Sequence, residues 1–304
     1  MVFTLPAWLK VWWSHFGAGA ELYLRAVRRN GQIIGIAPLQ IKNGAASITG
    51  SVDVCDYQDF IIVPGLEQDF YLAVLDDLLQ KGIKGFHLET VRPDSTIVTH
   101  LIPLARERGY PVNYLQVDVS SDIDLPPDWD GYLNTLDRKQ RHEVRRKMRN
   151  FFEKKETAYH TLSGKDAREA LEIFLQLFPE SRDDKAEFMT PSMQVFFREL
   201  TESLAGIDII RFGMLEFAQK PVAMVMYFDY NNTVYLYNSA YHPDYRTLSV
   251  GIVSKASCIQ NSIQSGKARF DFLKGAEQYK YHLGGKEIPL YSCHITLQPE
   301  RILL

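Results

Sequence analysis

Alternating apolar residues folded back at short polar turns occur twice in this chain, and the second occurrence repeats the first at a fixed offset. In the first stretch, Glu21 to Gly50, two strands surround a turn at Asn30-Gly31, and a second turn at Asn43-Gly44 opens a third strand. Asn-Gly pairs accept the positive φ angles of tight hairpins, so the pattern specifies an antiparallel meander. In the second stretch, Ile207 to Leu215, Pro221 to Tyr230 and Thr233 to Tyr241 read as three strands, turned by Gln219-Lys220 and Asn231-Asn232. One common shift puts Asn43 on Asn231, Asp56 on Asp244 and Tyr57 on Tyr245. Three matches over about thirty positions can arise by coincidence; a duplicated domain is the simpler account. After the first meander, Phe70, Leu72, Val74, Leu75, Leu78 and Leu79 fit a helix over 69–81 that packs on the sheet, and Phe86 to Val91 reads as the next strand. The expected class is α/β (α+β), with two tandem domains, each a mixed, mostly antiparallel sheet flanked by helices.

A length of 304 residues agrees with two domains. The aperiodic, acidic stretch Ser120 to Asp130, with two prolines and four aspartates, marks the junction, giving domains at 1–125 and 126–304. A composition 46% hydrophobic and 23% charged is that of a globular protein. No apolar run approaches the roughly 20 residues that cross a bilayer, so no membrane span is expected. The opening MVFTLPAWLKVWWSHFG does not read as a signal peptide, and Trp8, Trp12 and Trp13 fit a helix with a core-facing side. Cytoplasmic placement is therefore expected. Cys55, Cys258 and Cys293 are odd in number, far apart and without a CxxC pair, which suggests free thiols rather than zinc or dithiol chemistry. The eight histidines show no metal-ligand spacing, so no metal is expected. Phosphate-loop and dinucleotide fingerprints are absent from the sequence, so neither ATP nor NAD is expected. A net charge of -3 argues against a general nucleic-acid binder but permits a local basic surface.

Such a surface is written into 130–154, where Leu133, Leu136, Val144, Met148, Phe151 and Phe152 recur at helical spacing and Asp128 can cap the start. One long amphipathic helix is expected. Seven of the twelve residues from 138 to 149 are lysine or arginine, and Arg138, Arg141, Arg145 and Arg149 form a stripe. Repulsion along it is relieved by solvent or by an anionic ligand, so Arg141 and Arg145 are candidate substrate contacts and a solvated face is the alternative.

Near the other end, Tyr241 leads through YHPDYRTLSVG into an apolar helical run from Ile252 to Ile263. A strand passing into a helix N-terminus offers free amides and the positive end of the helix dipole to a pyrophosphate, provided small residues let it approach. Ser249 and Gly251 are small, although an ordinary serine-capped helix reads the same way. The helix should end at Gly266, followed by a strand over Ala268 to Leu273 and then KGAEQYKYHLG.

The order FDFLKG then EQYKYHLG resembles the CelD/BcsL-type acetyltransferases, a branch of the GNAT superfamily similar to the Fem peptidyltransferases, which carry two GNAT-like domains. PAWLKVWWSHFG, the IAPL at Ile36 to Leu39, the DYQDFIIVPG at Asp56 to Gly65 and the Tyr132 to Arg149 helix resemble that branch in the same order. The resemblance covers nearly the whole chain and rests on the order of loose motifs. It implies tandem GNAT-like domains, the first degenerate, and direct acyl transfer from acetyl-CoA or another acyl-CoA to an amine or hydroxyl. The acceptor would be a small molecule, such as a sugar or amine, or a cell-envelope or glycan precursor. Arg246, Ser249, Val250 and Gly251 resemble the R-x-x-G-x-G/A loop that holds coenzyme A, with serine in place of its first glycine.

Transfer needs a base for the nucleophile, donors for the oxyanion and an acid for the departing thiolate. Asp271 is the candidate carboxylate, although a buried aspartate satisfying backbone amides is also common in strands. Lys280 resembles the lysine of a Y-K-x-x-F-G tail in the Fem ligases, here with leucine for phenylalanine. Tyr279 resembles the GNAT tyrosine that protonates the thiolate, and packing is its alternative role. Tyr245, Lys274 and Glu277 are candidate substrate contacts. Two other readings stay open: a Fem-like ligase using aminoacyl-tRNA, with the arginine stripe on RNA phosphates, and a catalytically silent GNAT-fold binding protein.

Overall fold

The structure is a computed structural model that describes residues 1–298; positions 299–304, which the expected second domain includes, lie outside the described residues. The chain divides into two compact units, Met1–Val119 with the segment from Ile288 onward, and Ser120–Glu287. The acidic stretch predicts a junction at 125/126, whereas the units part inside one strand at 119/120 and the chain's last strand returns to the first unit.

The first unit contains α1 (Pro6–Phe16), β1 (Glu21–Arg29), β2 (Gln32–Lys42), β3 (Ala45–Ile48), β4 (Ile61–Ile62), α2 (Glu67–Gln80), β5 (Gly85–Val91), α3 (Ile102–Glu107) and the start of β6 (Val112–Asp124). β1 and β2 form an antiparallel hairpin, β2 pairs antiparallel with β3, and β3 pairs parallel with β5. Asn30, Gly31, Asn43 and Gly44 all have positive φ, as the Asn-Gly turns require. Alternation along β1 and β2, reset by an irregularity that leaves Ile34 between the paired Ile33 and Gly35, brings Tyr23, Ile34, Ala37 and Leu39 into one core with Phe70, Tyr71, Val74, Leu75 and Leu78. Trp8 and Trp12 are buried on α1, their indole N–H groups donating to Cys55 Sγ and Ser51 Oγ at 3.2 Å.

The second unit contains α4 (Trp129–Thr135), α5 (Arg138–Phe152), β7 (Thr157–Ser163), α6 (Ala167–Ser181), α7 (Asp183–Phe188), α8 (Pro191–Ala205), β8 (Ile210–Phe217), β9 (Lys220–Tyr230), β10 (Thr233–Tyr241), α9 (Val250–Gln264), β11 (Arg269–Lys274) and α10 (Gln278–His282). The final strand β12 (Lys286–Thr296) pairs antiparallel with β5, which is why the chain from Ile288 belongs with the first unit. In the second unit β7, β8, β9 and β10 are antiparallel neighbours, and β10 lies parallel to β11. Within each unit the strand pairing is thus mixed and mostly antiparallel. The repeated meander is real: β8, β9 and β10 follow one another as β1, β2 and β3 do, with Asn231 and Asn232 at positive φ in the second turn. The turn between β8 and β9 is Ala218-Gln219, both at positive φ, one position before the expected Gln219-Lys220. Without an Asn-Gly pair, no local signal locates it.

β9 is buried on both faces. Ala223, Val225 and Tyr227 meet α9, α5 and α4, while Phe212 of β8 packs on Phe174 of α6, and Phe228 and Tyr237 stack near Phe197 of α8. One long helix over 130–154 is not what forms. Asp128 does cap α4, accepting from Gly131 N at 2.7 Å, but Leu136 is extended and a new helix starts at Asp137. There Asp137 Oδ1 accepts from Gln140 N at 2.8 Å while Gln140 Oε1 accepts from Asp137 N at 2.9 Å. This reciprocal cap satisfies two otherwise orphaned amides and resets the helix axis.

Candidate active site

The β10–β11 ladder is short, with Thr233, Val234 and Tyr235 paired to Arg269, Phe270 and Asp271. On the other side of β11 the pairing with the end of β6 is interrupted between Asp271 and Lys274. Leu273 sits at that irregularity with φ 62°, and Asp271 Oδ1 accepts its amide at 2.7 Å. Asp271 is 3% exposed, between Phe270 and Phe272, so its carboxylate fixes the bend that carries the chain from β11 into α10.

Lys280 completes that turn from the inside. Only 1% exposed, it donates through Nζ to the carbonyls of Leu273 (2.9 Å), Lys274 (2.6 Å) and Gly275 (3.1 Å) and lies 3.0 Å from Glu277 Oε2. Gly275 has φ 109°, and a Cβ there would meet Glu277 Oε2 at 2.5 Å. The structure therefore brings Asp271, Lys274, Glu277, Tyr279 and Lys280 together at one strand-to-helix turn, with the Lys280 ammonium saturated by oxygen acceptors.

The loop before α9 forms a second half of the site. Pro243–Leu248 is one 3-10 segment, and Ser249 adopts left-handed φ 56°, ψ 30° before the α-helix begins. Ser249 provides no side-chain cap, and the first intrahelical acceptor is its own carbonyl, used by Ile252 and Val253. The amides of Val250 and Gly251 thus occupy the helical first turn, where no i−4 carbonyl exists. Tyr245 packs its ring on Phe217 and His242, and Arg246 is exposed. Thr247, Leu248 and Ser249 share an open cleft of about 450 Å³ with Arg146, Lys147, Asn150, Glu153 and Lys154 of α5 and its C-terminal end. Glu143 partly neutralises this basic wall, 2.9 Å from Arg146 and 3.8 Å from Lys147.

The two halves are joined by a residue the sequence reading does not single out. Lys255 of α9, 5% exposed, donates to Gly251 O at 2.9 Å and stands 4.5 Å from the Tyr279 ring centroid. Its sequence signal is a lysine inside the apolar run Ile252 to Ile263. Burial pushes its ammonium down to about 7, helped by the charge of Lys185 and opposed by Glu277.

Arg141 and Arg145 lie apart from the loop, on a different face of α5. Arg141 donates to Asn134 Oδ1 (3.1 Å) and Leu136 O (3.2 Å), so it locks the α4–α5 break, and Arg145 is 3.6 Å from Asp130. With Arg138, Lys139 and His142 they line a separate cleft of about 760 Å³. Among the described residues there is no cluster of histidine, cysteine or acidic side chains suited to a metal, and no helix is long and apolar enough to cross a membrane.

Residues 138–281 match the family model described as an acetyltransferase (GNAT) domain. In sequence, no curated protein matches. Among solved structures, FemX superposes with a TM-score of 0.68 at 12% identity, covering 96% of this chain and 92% of that one. The C-terminal domain of a putative lysylphosphatidylglycerol synthetase from Agrobacterium fabrum gives 0.60 at 10% identity, covering 90% and 83%. A tandem GNAT protein from the clavulanic acid biosynthesis pathway gives 0.50 at 11% identity, covering 93% and 85%. At these identities the likeness is one of fold.

Proposed function

With a GNAT acyltransferase domain over residues 138–281 as premise, we propose that this protein transfers an acyl group directly from acyl-CoA to an amine or hydroxyl of a small-molecule or glycan-precursor acceptor. The observation that carries the reading is the start of α9: a helix with no side-chain cap, opening on a left-handed serine, facing Arg146, Lys147 and Lys154 across a cleft. Amides of Val250 and Gly251 would donate to a diphosphate that the basic wall of α5 neutralises. Coenzyme A would supply the activated thioester; the protein supplies anion binding, orientation and proton handling.

In this reading Asp271 and Lys280 act through the turn they hold, which presents Tyr279 toward Lys255 and the start of α9. Tyr279 is the candidate acid for the departing thiolate. Lys255, whose ammonium is pushed down to about 7 and lies over the Tyr279 ring, is a group able to exchange protons near neutral pH beside it. The cleft of Arg138, Arg141, His142 and Arg145 suits an acceptor that carries phosphate, and it also favours a second reading in which the donor is an aminoacyl-tRNA.

The test is a calorimetric titration of coenzyme A into the wild type and into Lys147→Glu/Lys154→Glu. Those side chains line the cleft without supporting the sheet, whereas a Cβ on Gly251 would point at the Tyr241 ring, 3.5 Å away, making a bulky replacement there ambiguous. Saturable binding that weakens at least about tenfold in the variant is expected, given about 1.5–3 kcal/mol for a charge-assisted hydrogen bond. Equal binding by both proteins would sink the diphosphate assignment. Tight, steeply salt-dependent binding of tRNA without coenzyme A binding would favour the second reading.

A further inference from the structure

The charges beside the α9–α10 contact do not balance. The Asp271 carboxylate is turned to the Leu273 amide, and Glu277 lies against Lys280, whose Nζ already has three carbonyl acceptors. Two further lysines, Lys255 and Lys185, feel the charge of the Glu277 carboxylate. Lys255 has one oxygen acceptor, Gly251 O, and otherwise rests on the Tyr279 ring. Lys185 of α7 donates to Ser239 O of β10 and stands 4.8 Å from the centroid of Phe178. An ammonium carries three donors, so among the described residues each of these lysines has two N–H groups without an oxygen partner. On Lys255, which is 5% exposed, such groups are costly unless something accepts from them, whereas Lys185 is half-buried and open to water.

The surroundings define what could do so. Glu277 attracts both lysines from α10, Cys258 flanks Lys255 on its own helix, and Arg182 and Asp184 flank Lys185. Desolvation lowers Lys185 to about 8, with Arg182 adding to the fall and Asp184 and Glu277 opposing it. Aromatic rings back both ammoniums, so a weakly hydrated monoanion with few further hydrogen-bonding demands suits them better than a strongly hydrated dianion.

We propose that Lys185 and Lys255 form a receptor for one carboxylate group, borne either by the acyl chain of the donor or by the acceptor, with one ammonium serving each carboxylate oxygen. Gly251 and Ser239, which hold the two lysines, belong to the start of α9 and to β10, so the receptor adjoins the diphosphate-binding amides. The donor arm of this assignment rests on the acyl-CoA reading; the acceptor arm does not. Without a carboxylate the pair relieves its repulsion by losing a proton; with one, both lysines stay charged. Carboxylate binding is therefore coupled to proton uptake.

The experiment is isothermal titration of the full chain near pH 8, in two buffers of different ionisation enthalpy, with acetyl-CoA, succinyl-CoA, free succinate, glycine and glutamate. If the carboxylate is on the acyl chain, succinyl-CoA binds at least about tenfold tighter than acetyl-CoA, and that preference vanishes in Lys255→Met and Lys185→Met. If it is on the acceptor, the two thioesters bind alike and a free carboxylate ligand binds saturably with the same lysine dependence. Either way the wild type takes up protons on binding, a readout that stands even where a lysine variant fails to fold. Absence of carboxylate-linked proton uptake with every ligand overturns the receptor, as does a succinyl preference that survives in both variants. Binding of a free carboxylate with proton uptake, alongside no binding of coenzyme A or its thioesters, removes the acyl-CoA reading and leaves the receptor standing.

Discussion

Lys280 Nζ stands 3.0 Å from Glu277 Oε2, and the same ammonium collects three successive backbone carbonyls from Leu273 to Gly275. It behaves as a built-in cation around which the β11–α10 turn is wrapped. Lys280→Met should cost about 3–5 kcal/mol, because three buried carbonyls lose their donor. Glu277→Gln should cost no more than about 1 kcal/mol, since that carboxylate is 47% exposed. Urea denaturation followed by circular dichroism reads both. A Lys280→Met protein of wild-type stability would reject the wrapped-turn account.

Gly213 of β8 leaves no room for a side chain. A Cβ there would lie 2.0 Å from Tyr159 Oη and 2.7 Å from Val225 Cγ2. Gly213→Ala should destabilise by about 1–3 kcal/mol through overpacking. The buried Tyr159 hydroxyl has the Cys258 thiol beside it, a weak partner, and no hydrogen bond of ordinary geometry among the described residues, so Tyr159→Phe alone should cost little. The double variant should recover part of the alanine penalty, measured as the coupling in a double-mutant cycle. Strictly additive losses would mean that the two groups do not collide.

How far these features can be read from sequence depends on how local their cause is. The turns at Asn30-Gly31 and Asn43-Gly44 are legible because a left-handed backbone selects those residues; Ala218-Gln219 adopts the same geometry under tertiary constraint and leaves no mark. The break at Leu136 was available as the spacing of Asp137 and Gln140, but apolar periodicity runs through it and favours one helix. The return of β12 to β5 depends on pairing across some two hundred positions, which no local pattern encodes. Around the candidate site, the order of motifs points to Ser249 to Gly251 and Asp271 to Lys280, which remain proposed site residues. Lys185 and Lys255 are invisible because a lysine is read as solvent-facing until packing shows otherwise.

Asp137 gives the simplest check on the helix break. Asp137→Ala removes a side-chain cap from an exposed helix start and should cost about 1 kcal/mol. For a protein of this size that is a fall of about 2–4 °C in Tm, read by differential scanning fluorimetry. An unchanged Tm would show that Arg141 holds the break by itself through Leu136 O.

Stability should rise with pH through the neutral range. Lys255 and Lys185 titrate near 7 and 8 in the folded protein, below the usual 10.5 of a lysine. Between those values the unfolded chain holds more protons than the folded one, so raising the pH favours folding. The opposing thiols, Cys258 and Cys293, are pushed up to about 12 by burial and act only above about 9. The urea midpoint should therefore climb from about pH 6.5 to 9 in the wild type, with a flatter rise in Lys255→Met. A midpoint that falls over this interval in the wild type contradicts the buried-lysine account.

Ser249 departs from the glycine of the R-x-x-G-x-G/A loop that this segment resembles. The position has φ 56° and ψ 30°, a conformation that costs an L-residue about 1–2 kcal/mol and a glycine nothing. The added chain entropy of glycine when unfolded offsets about 0.5–1 kcal/mol of that gain. Ser249→Gly should therefore raise stability by up to about 1 kcal/mol, while Ser249→Val, β-branched at positive φ, should lose clearly more than it. Because Ser249 makes no side-chain cap on α9, the glycine variant gives up no helix-capping hydrogen bond. Its coenzyme A affinity should equal or exceed that of the wild type, since the amides of Val250 and Gly251 become easier to reach. A glycine variant that is both less stable and weaker in binding would mean that the serine hydroxyl itself contacts the ligand, and would move Ser249 from a backbone role to a side-chain one.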